Sequence, residues 1–186
     1  MKKVTSVFTG GALILGLLIS GCKKEETVVA PPTPGNEFLT TVRLVCTNTA
    51  NAADVKTVSV KEQPGQPINY TNATLVLKKN ATYNVQVLFL DETKTPVGDI
   101  TQDIFDRRNY HLVCFEVTGA ALSVVRTDLD TNTPALPVGL ADKFTTVGIG
   151  TGSLNVKLRH QPNAKNGDCS SGSSDADVDF PLNIIN

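Results

Sequence analysis

The sequence predicts an all-β fold, an antiparallel two-sheet sandwich of immunoglobulin-like character with about eight to nine strands. Apolar and polar residues alternate with period two along most of the chain after residue 37, as on strands that bury one face. β-branched and aromatic residues fill these segments, and glycine, proline, asparagine and aspartate separate them. Helical periodicity extends nowhere beyond about two turns, so helices have little part in the predicted fold.

Nine segments match the strand pattern. They cover residues 38–47, 55–61, 73–77, 82–90, 110–118, 121–126, 140–147, 154–160 and 178–185. The fourth shows the alternation most clearly, because Val85 and Val87 share one face with the aromatic residues on either side of them. Near the end of the chain Asp175, Asp177 and Asp179 also alternate, and we expect all three carboxylates on the solvent face of a strand.

Glycines predict several of the turns. Gly119 and Ala120 are expected to close a tight hairpin between the fifth and sixth strands, and the glycines of GIGTGS (148–153) to supply the positive φ of a turn before the eighth. That segment is not a dinucleotide fingerprint, because the glycine spacing is wrong and no helix is predicted after it. The one long polar crossing, residues 91–108, is expected to hold a short helical turn around residues 100–105.

The amino-terminal residues indicate where the chain is delivered. Lys2 and Lys3 precede an apolar stretch, residues 7–19, which is shorter than the roughly 17–25 residues that cross a bilayer. The sequence ISGC, which ends at Cys22, resembles the lipobox of bacterial lipoproteins. This resemblance implies a signal peptide of residues 1–21, cleavage before Cys22, and acylation of that cysteine by several chains such as palmitate, which together hold a protein stably on a membrane. The alternative is an ordinary signal peptide with an incidental cysteine.

Residues 22–36 are predicted to connect the anchor to a domain. The charged run KKEE (23–26) resembles the export tag of Bacteroidetes surface lipoproteins, which predicts an outer-membrane location and display at the cell surface. A merely solvated tether is the alternative. Three prolines and one glycine in residues 27–36 predict an extended, semi-rigid spacer. The remaining residues, 37–186, have the usual size of one domain.

Composition and motifs exclude several classes of function. The formal net charge is −1 and no basic run is present, so nucleic acid is not a predicted partner. The chain has no GxSxG elbow, P-loop, HExxH or CxxC motif and 2 histidines, so no enzyme is predicted. Tryptophan is absent and aromatic residues make up 5% of the chain, which leaves little for a sugar-stacking platform, although sugar binding through loops stays open.

The domain retains three cysteines, in a compartment that permits disulfides. Cys46 and Cys114 lie in the middle of predicted strands, so a bridge between those strands is one prediction. The alternative is that both are small buried apolar residues. Cys169, in a segment rich in serine and glycine, can pair with either.

Two histidines and two aspartates are predicted to meet at one end of the sandwich. If the chain runs as an antiparallel meander from residue 110 onward, the start of each strand lies beside the end of the next. His111 begins one strand, Asp128 and Asp130 follow another, and His160 ends a third. Such nitrogen and oxygen ligands suit a divalent metal such as zinc. The alternative is that each histidine is solvated or caps a strand edge.

A calcium loop is a second interpretation of the same region. Asp128, Asp130 and Asn132 resemble the opening of a DxDxN loop. However, Thr133 replaces the glycine that such a loop requires, and Gly139 stands where its bidentate glutamate belongs. An Asx-stabilised turn is the alternative.

Several segments together carry a resemblance to a known family. They are FLDETKTPVGDIT (89–101), the strand that begins at His111, TDLDTN (127–132) with PVGL (137–140), and LRHQPNAKNGD (158–168). Over residues 41–184 the chain resembles small lipoproteins of flavobacteria and related Bacteroidetes, usually labelled as a type 1 periplasmic binding fold superfamily. That label implies an α/β fold, whereas the strands of this chain predict a β-sandwich. Arg107 and Arg108 depart from the acidic run that the family has before its first histidine.

The resemblance implies no reaction and no ligand, and it implies an association with TonB-dependent outer-membrane receptors. With the predicted anchor it favours a non-enzymatic outer-membrane lipoprotein, a binding or accessory module for uptake of a metal or small nutrient. The predicted partners are the membrane, through the lipid on Cys22, and a TonB-dependent receptor or another envelope protein. The alternative is a structural or adhesive module of the cell surface.

Overall fold

The computed structural model describes residues 38–63 and 65–186, and confirms the predicted all-β sandwich. Strands make up 54% and helix 4% of the structure, in two mainly antiparallel sheets that do not close into a barrel. The predicted signal peptide, Cys22 and the tether lie outside the described residues. No helix in the described part of the chain is long and apolar enough to cross a membrane.

The described residues form eleven strands and one short helix. In chain order these are β1 (Thr41–Asn48), β2 (Val55–Lys61), β3 (Asn69–Asn72), β4 (Leu75–Lys78), β5 (Thr82–Asp91), β6 (Gly98–Asp99), α1 (Thr101–Asp106), β7 (His111–Thr118), β8 (Leu122–Arg126), β9 (Ala141–Thr146), β10 (Gly150–His160) and β11 (Ser173–Ile185). The larger sheet has the order β3-β2-β1-β5-β9-β8, with β6 beside β5. The smaller sheet has the order β4-β11-β10-β7. Among the described strands, β4 and β11 form the one parallel pair.

The inward faces of the two sheets form one apolar core. Leu44 of β1 lies opposite Val87 of β5, and both are fully buried. From the smaller sheet, Leu154 of β10 and Phe180 of β11 are likewise paired and buried. Burying a side chain of this size stabilises a fold by about 1.5–3 kcal/mol, and the period-two pattern places such side chains on the inward faces of both sheets.

The predicted hairpin between the fifth and sixth strands is wrong, because these strands belong to different sheets. β7 pairs with β10 and β8 pairs with β9, so the chain crosses between the sheets at Gly119. Gly119 has a φ of +76°, and a Cβ there would lie 2.9 Å from the carbonyl oxygen of Thr151. A tight turn with positive φ serves a crossing as well as a hairpin, so the glycine alone does not distinguish them.

Of the three glycines predicted to have positive φ before the eighth strand, only Gly148 does, with a φ of 73°. Gly150 and Gly152 are the first and third residues of β10. At Gly152 a Cβ would lie 1.9 Å from the carbonyl oxygen of Thr118. This glycine therefore allows β10 to approach the end of β7 closely.

The predicted helical turn is confirmed by α1, and the lengths of several strands differ from prediction. β3 and β6 have 4 and 2 residues, which is too short to show a period in the sequence. β11 begins at Ser173, ahead of the predicted start at residue 178, because pairing with β10 extends it into a segment rich in serine.

One end of the sandwich, which we call the loop end, carries the histidines and aspartates that were predicted to meet. Thr41 pairs with Leu90, and His111 pairs with His160, so each sheet has two strand termini there. Thr41 and Asp175 line one small crevice between the sheets, which places these termini at the same end. The first described residue, Phe38, precedes β1 at this end.

Candidate functional site

Three loops at the loop end enclose a cleft of about 600 Å³. Residues 107–110 connect α1 to β7, residues 127–140 connect β8 to β9, and residues 161–172 connect β10 to β11. We call the space between them the three-loop cleft. Its lining consists of Asn109, Tyr110, Asn132, Thr133, Pro134, Leu136, Asn163, Lys165 and Asn166.

A buried ion pair joins the three loops. Lys165 Nζ lies 2.9 Å from Asp130 Oδ2, and the two side chains are 1% and 0% exposed. The same ammonium group donates to the carbonyl oxygen of Arg108 at 2.9 Å, which attaches the third loop. Burial disfavours the ionised form of Asp130, but donation from the Leu136 backbone N–H and from Lys165 holds the pKa of this carboxyl below its usual value. One lysine therefore fixes the relative position of all three walls of the cleft.

Both aspartates of the proposed metal set are occupied by backbone donors. Asp128 accepts hydrogen bonds from the backbone N–H groups of Gly139 at 2.7 Å and Leu140 at 3.0 Å. Asp130 Oδ1 accepts from the N–H of Asn132 at 3.0 Å, two residues further on, which is an Asx turn. The Asx turn, the alternative to a calcium loop, is therefore the arrangement that forms.

The two histidines do meet, as predicted, but as a stacked pair. His111 and His160 are register partners, with ring centroids 4.9 Å apart and planes inclined by 15°. His111 Nδ1 lies 3.1 Å from the carbonyl oxygen of Arg107. Because a carbonyl oxygen only accepts, Nδ1 carries the hydrogen. Burial lowers the pKa of His111 to about 4, so this ring is neutral at pH 7.

Asp175 departs from the expected solvent face. The pairing of β10 with β11 shifts after Leu158, which leaves Asp175 as the extra residue of a β-bulge. Asp177 and Asp179 are exposed as predicted. Asp175 instead turns toward His111, with Oδ2 at 3.8 Å from Nε2, and its burial raises the pKa of the carboxyl. Asp175 Oδ2 has no hydrogen-bond partner among the described residues.

The four predicted metal ligands do not converge. Zinc requires nitrogen and oxygen ligands at about 2.0–2.2 Å around one point, whereas His111 and His160 stack face to face and Asp128 and Asp130 bind backbone N–H groups. Within the described ranges, no group of three or more histidine, cysteine, aspartate or glutamate side chains has the geometry to hold a metal ion. The shared end of the sandwich was predicted correctly, but these residues do not form a metal centre there.

The disulfide joins Cys114 to Cys169, so the predicted Cys46–Cys114 bridge is wrong. Cys46 faces the core from the larger sheet, while Cys114 lies opposite Lys157 on the outward face of the smaller sheet. The Cys46 thiol is free and buried, and burial raises its pKa to about 12. The bridge fastens residues 161–172, one wall of the cleft, to the edge of the smaller sheet.

Several polar atoms in the cleft have no hydrogen-bond partner among the described residues. Asn109 uses its carbonyl oxygen to hold Thr131, which leaves its Nδ2 donor without a partner. Asn132 donates through Nδ2 to the Asn109 backbone carbonyl oxygen and to Asp130, and its Oδ1 acceptor is left without a partner. Asn166 accepts a hydrogen bond at Oδ1 from the Asp168 backbone N–H, and its Nδ2 donor is left without a partner. The amide of Asn163, a residue with a φ of 58°, makes no hydrogen bond within the described chain.

Apart from Asn132 in the calcium-loop interpretation, the sequence did not predict these asparagines as ligand-binding residues, because only charged and imidazole side chains were considered as ligands. One signal was available, because asparagines stand in each of the three segments that were expected at the shared end. Individually they are typical turn residues, and only their convergence makes them notable.

Comparisons with known proteins identify no relative. No protein-family model matches the chain. Neither the curated proteins nor the solved structures contain a significant match to it.

Proposed function

We propose that this protein is a non-enzymatic, lipid-anchored binding module of the outer membrane, which captures a small polar nutrient in the three-loop cleft. The observation that carries the proposal is the construction of the cleft. A buried ion pair joins its three walls, a disulfide fastens one of them, and asparagines with unpartnered amide atoms line the space between. Binding sites of about 300–1,000 Å³ with a few fixed polar groups are typical for small ligands.

The length of chain between the predicted lipidation site and the first described residue supports a role in uptake. The described chain begins at the loop end, where the cleft also lies. Residues 23–37 between Cys22 and Phe38 span about 50 Å at full extension. A lipid on Cys22 would thus hold the cleft within reach of a membrane partner, for which we propose a TonB-dependent receptor.

The chemistry of the lining favours a nutrient over a metal ion and binding over catalysis. Its groups without partners are amides, which are weak metal ligands compared with carboxylates and imidazoles. The one charged lining residue, Lys165, is held in an ion pair and is not placed as a base or nucleophile.

A melting experiment with matched tyrosine variants tests the assignment. Tyr110, 42% exposed, lines the cleft, and Tyr70, 46% exposed, lines a separate depression beside β3. The full chain, expressed with its leader and purified in mild detergent, is melted with neutral sugars, sugar acids, sugar phosphates, amino acids and Zn²⁺. A ligand at 100 times its Kd stabilises by about 2.7 kcal/mol, which raises the Tm by several degrees.

The proposal expects one class of solute to raise the Tm of the wild type and of Tyr70→Ala, but not of Tyr110→Ala. A shift that is lost in Tyr70→Ala and kept in Tyr110→Ala would place binding elsewhere. If no solute shifts the Tm of the wild type, the proposed function is wrong.

A second function, a surface module that contacts another protein, is favoured by the opposite end of the sandwich. Val147 and Ile149, on either side of Gly148, are 64% and 61% exposed. Both side chains lie on the turn between β9 and β10, where they offer apolar surface that a protein partner could cover. Crosslinking to an envelope protein that is lost in Val147→Ser/Ile149→Ser but kept in Tyr110→Ala would support this function.

A further inference from the structure

The residues that line the three-loop cleft include both hydrogen-bond donors and acceptors without a partner among the described residues. Asn109 and Asn166 present Nδ2 donors, Asn132 presents an Oδ1 acceptor, and Asn163 presents both kinds of atom. A hydroxyl group both donates and accepts, so a ligand with several hydroxyls can satisfy such a mixed set. A carboxylate or phosphate only accepts and would leave the Asn132 oxygen without a donor.

The cleft also lacks a counter-charge for an ionic ligand. Lys165 is the only charged residue among those that line it, and its ammonium group is already bound to Asp130 and to the carbonyl oxygen of Arg108. Burying an ionised group without a partner costs several kcal/mol. The lining therefore offers no free charge to pair with an ionic ligand, which favours an uncharged one.

Apart from the hydroxyl-bearing Thr133, the remaining lining is apolar or aromatic. Pro134 and Leu136 contribute aliphatic surface, and Tyr110 contributes a half-exposed ring with a hydroxyl at its tip. A tyrosine packs an apolar face with its ring and donates or accepts a hydrogen bond with its hydroxyl. Sugar rings match such a mixture, because they present C–H groups on their faces and hydroxyls at their edges.

We propose that the ligand of the three-loop cleft is a neutral saccharide, of mono- or disaccharide size, held by the amides of Asn109, Asn132 and Asn163 with Tyr110 against its ring. This inference rests on the proposed function, since it names the class of nutrient that the same cleft binds. The aromatic content of the chain is too low for an extended sugar platform. In this proposal most contacts with the saccharide are therefore hydrogen bonds from the loop amides.

The test compares neutral sugars with their charged counterparts. The full chain in mild detergent is titrated calorimetrically with neutral mono- and disaccharides, with the corresponding uronic acids and sugar phosphates, and with the corresponding amino sugars. Asn109→Asp is the informative variant, because it keeps the carbonyl oxygen that holds Thr131 and replaces only the Nδ2 donor. Asn155→Asp, on the outward face of the smaller sheet, is the control.

We expect at least one neutral saccharide to bind, and Asn109→Asp to weaken it about tenfold through the loss of the Nδ2 donor. Asn155→Asp should leave the affinity unchanged. Binding of a charged sugar and of no neutral one, still dependent on Tyr110, would overturn the saccharide inference and leave the binding function standing. Absence of any binding that depends on Tyr110 would overturn both.

Discussion

At the scale of single residues, Lys165 and Lys157 form ion pairs of nearly equal length in opposite surroundings. Lys165 Nζ lies 2.9 Å from Asp130 with both side chains buried, and Lys157 Nζ lies 2.8 Å from Asp177 with both side chains partly exposed. Removing one partner of a buried pair costs about 3–5 kcal/mol, because the other charge stays buried alone. An exposed pair contributes about 0–1 kcal/mol.

Lys165→Met is accordingly expected to lower the free energy of unfolding by about 3–5 kcal/mol, and Lys157→Met by less than about 1 kcal/mol. Urea denaturation of the two variants measures the difference. Equal losses would mean that the Lys165–Asp130 pair does not hold the three loops together.

Asp142 is a second residue whose surroundings decide its behaviour. It lies on β9 with 3% exposure, and neither carboxylate oxygen has a hydrogen-bond partner among the described residues. Burial, with repulsion from Asp128, raises the pKa of this carboxyl from 3.8 to about 8 against the attraction of Arg126. The folded protein therefore keeps a proton on Asp142 at neutral pH.

This proton makes stability depend on pH in a defined direction. Between pH 3.8 and about 8 the folded state binds one proton more than the unfolded state, so stability is greatest below this window and falls as the pH rises through it. The loss approaches about 1.4 kcal/mol per pH unit. Asp142→Asn should remove this component of the slope, while exposed Asp106→Asn should not. Identical pH profiles for wild type and Asp142→Asn, from melting at pH 5 to 9, would contradict the assignment.

At the scale of elements, the disulfide attaches a loop to a strand. Cys114 is in β7 and Cys169 is in the loop that precedes β11, with 55 residues of sequence separation. A crosslink over such a distance restricts the unfolded chain and stabilises by about 2–4 kcal/mol. Since the loop forms a wall of the three-loop cleft, the bridge also limits how far that wall can move.

Cys114→Ser/Cys169→Ser is expected to lose about 2–4 kcal/mol of stability. Dithiothreitol should lower the Tm of the wild type and of Cys46→Ala alike and leave the double variant unchanged. Peptide mapping without reduction that recovered a Cys46–Cys114 peptide would show that the pairing is different.

The elements show how far local pattern predicts this fold. Strands such as β1 and β5 were found because burial of one face requires period-two alternation, which is a local property of the sequence. The sheet to which each strand belongs depends on contacts across the core, so the β7–β8 hairpin was predicted wrongly. The bulge at Asp175 follows from the register of β10 with β11 and cannot be recognised from the local sequence.

In the candidate site, too, the placement of residues could be predicted from the sequence, but their contacts could not. Chain direction alone predicted that His111, Asp128, Asp130 and His160 would share one end of the sandwich. What these side chains do there depends on backbone donors and on the distant Lys165, which the spacing of residues cannot reveal. The asparagines of the cleft were missed for a different reason, since each of them alone is a typical turn residue.

For the molecule as a whole, the predicted lipidation site and the described domain occupy different parts of the sequence. The core, the disulfide and the cleft all lie within residues 38–186, whereas the predicted lipid is at Cys22. The described residues, 38–63 and 65–186, all belong to one compact unit. Loss of the lipid should therefore change where the protein is found without changing what the domain binds.

Cys22→Ala is expected to move the protein from the membrane fraction to the soluble fraction, because stable attachment depends on the acyl chains. Its Tm, and its stabilisation by any ligand found for the wild type, should stay the same. Fractionation of cells followed by melting of both forms measures the two properties separately. Cys22→Ala protein that stayed with the membrane would contradict the lipid anchor, and a fall in its Tm would show that the anchor segment supports the fold.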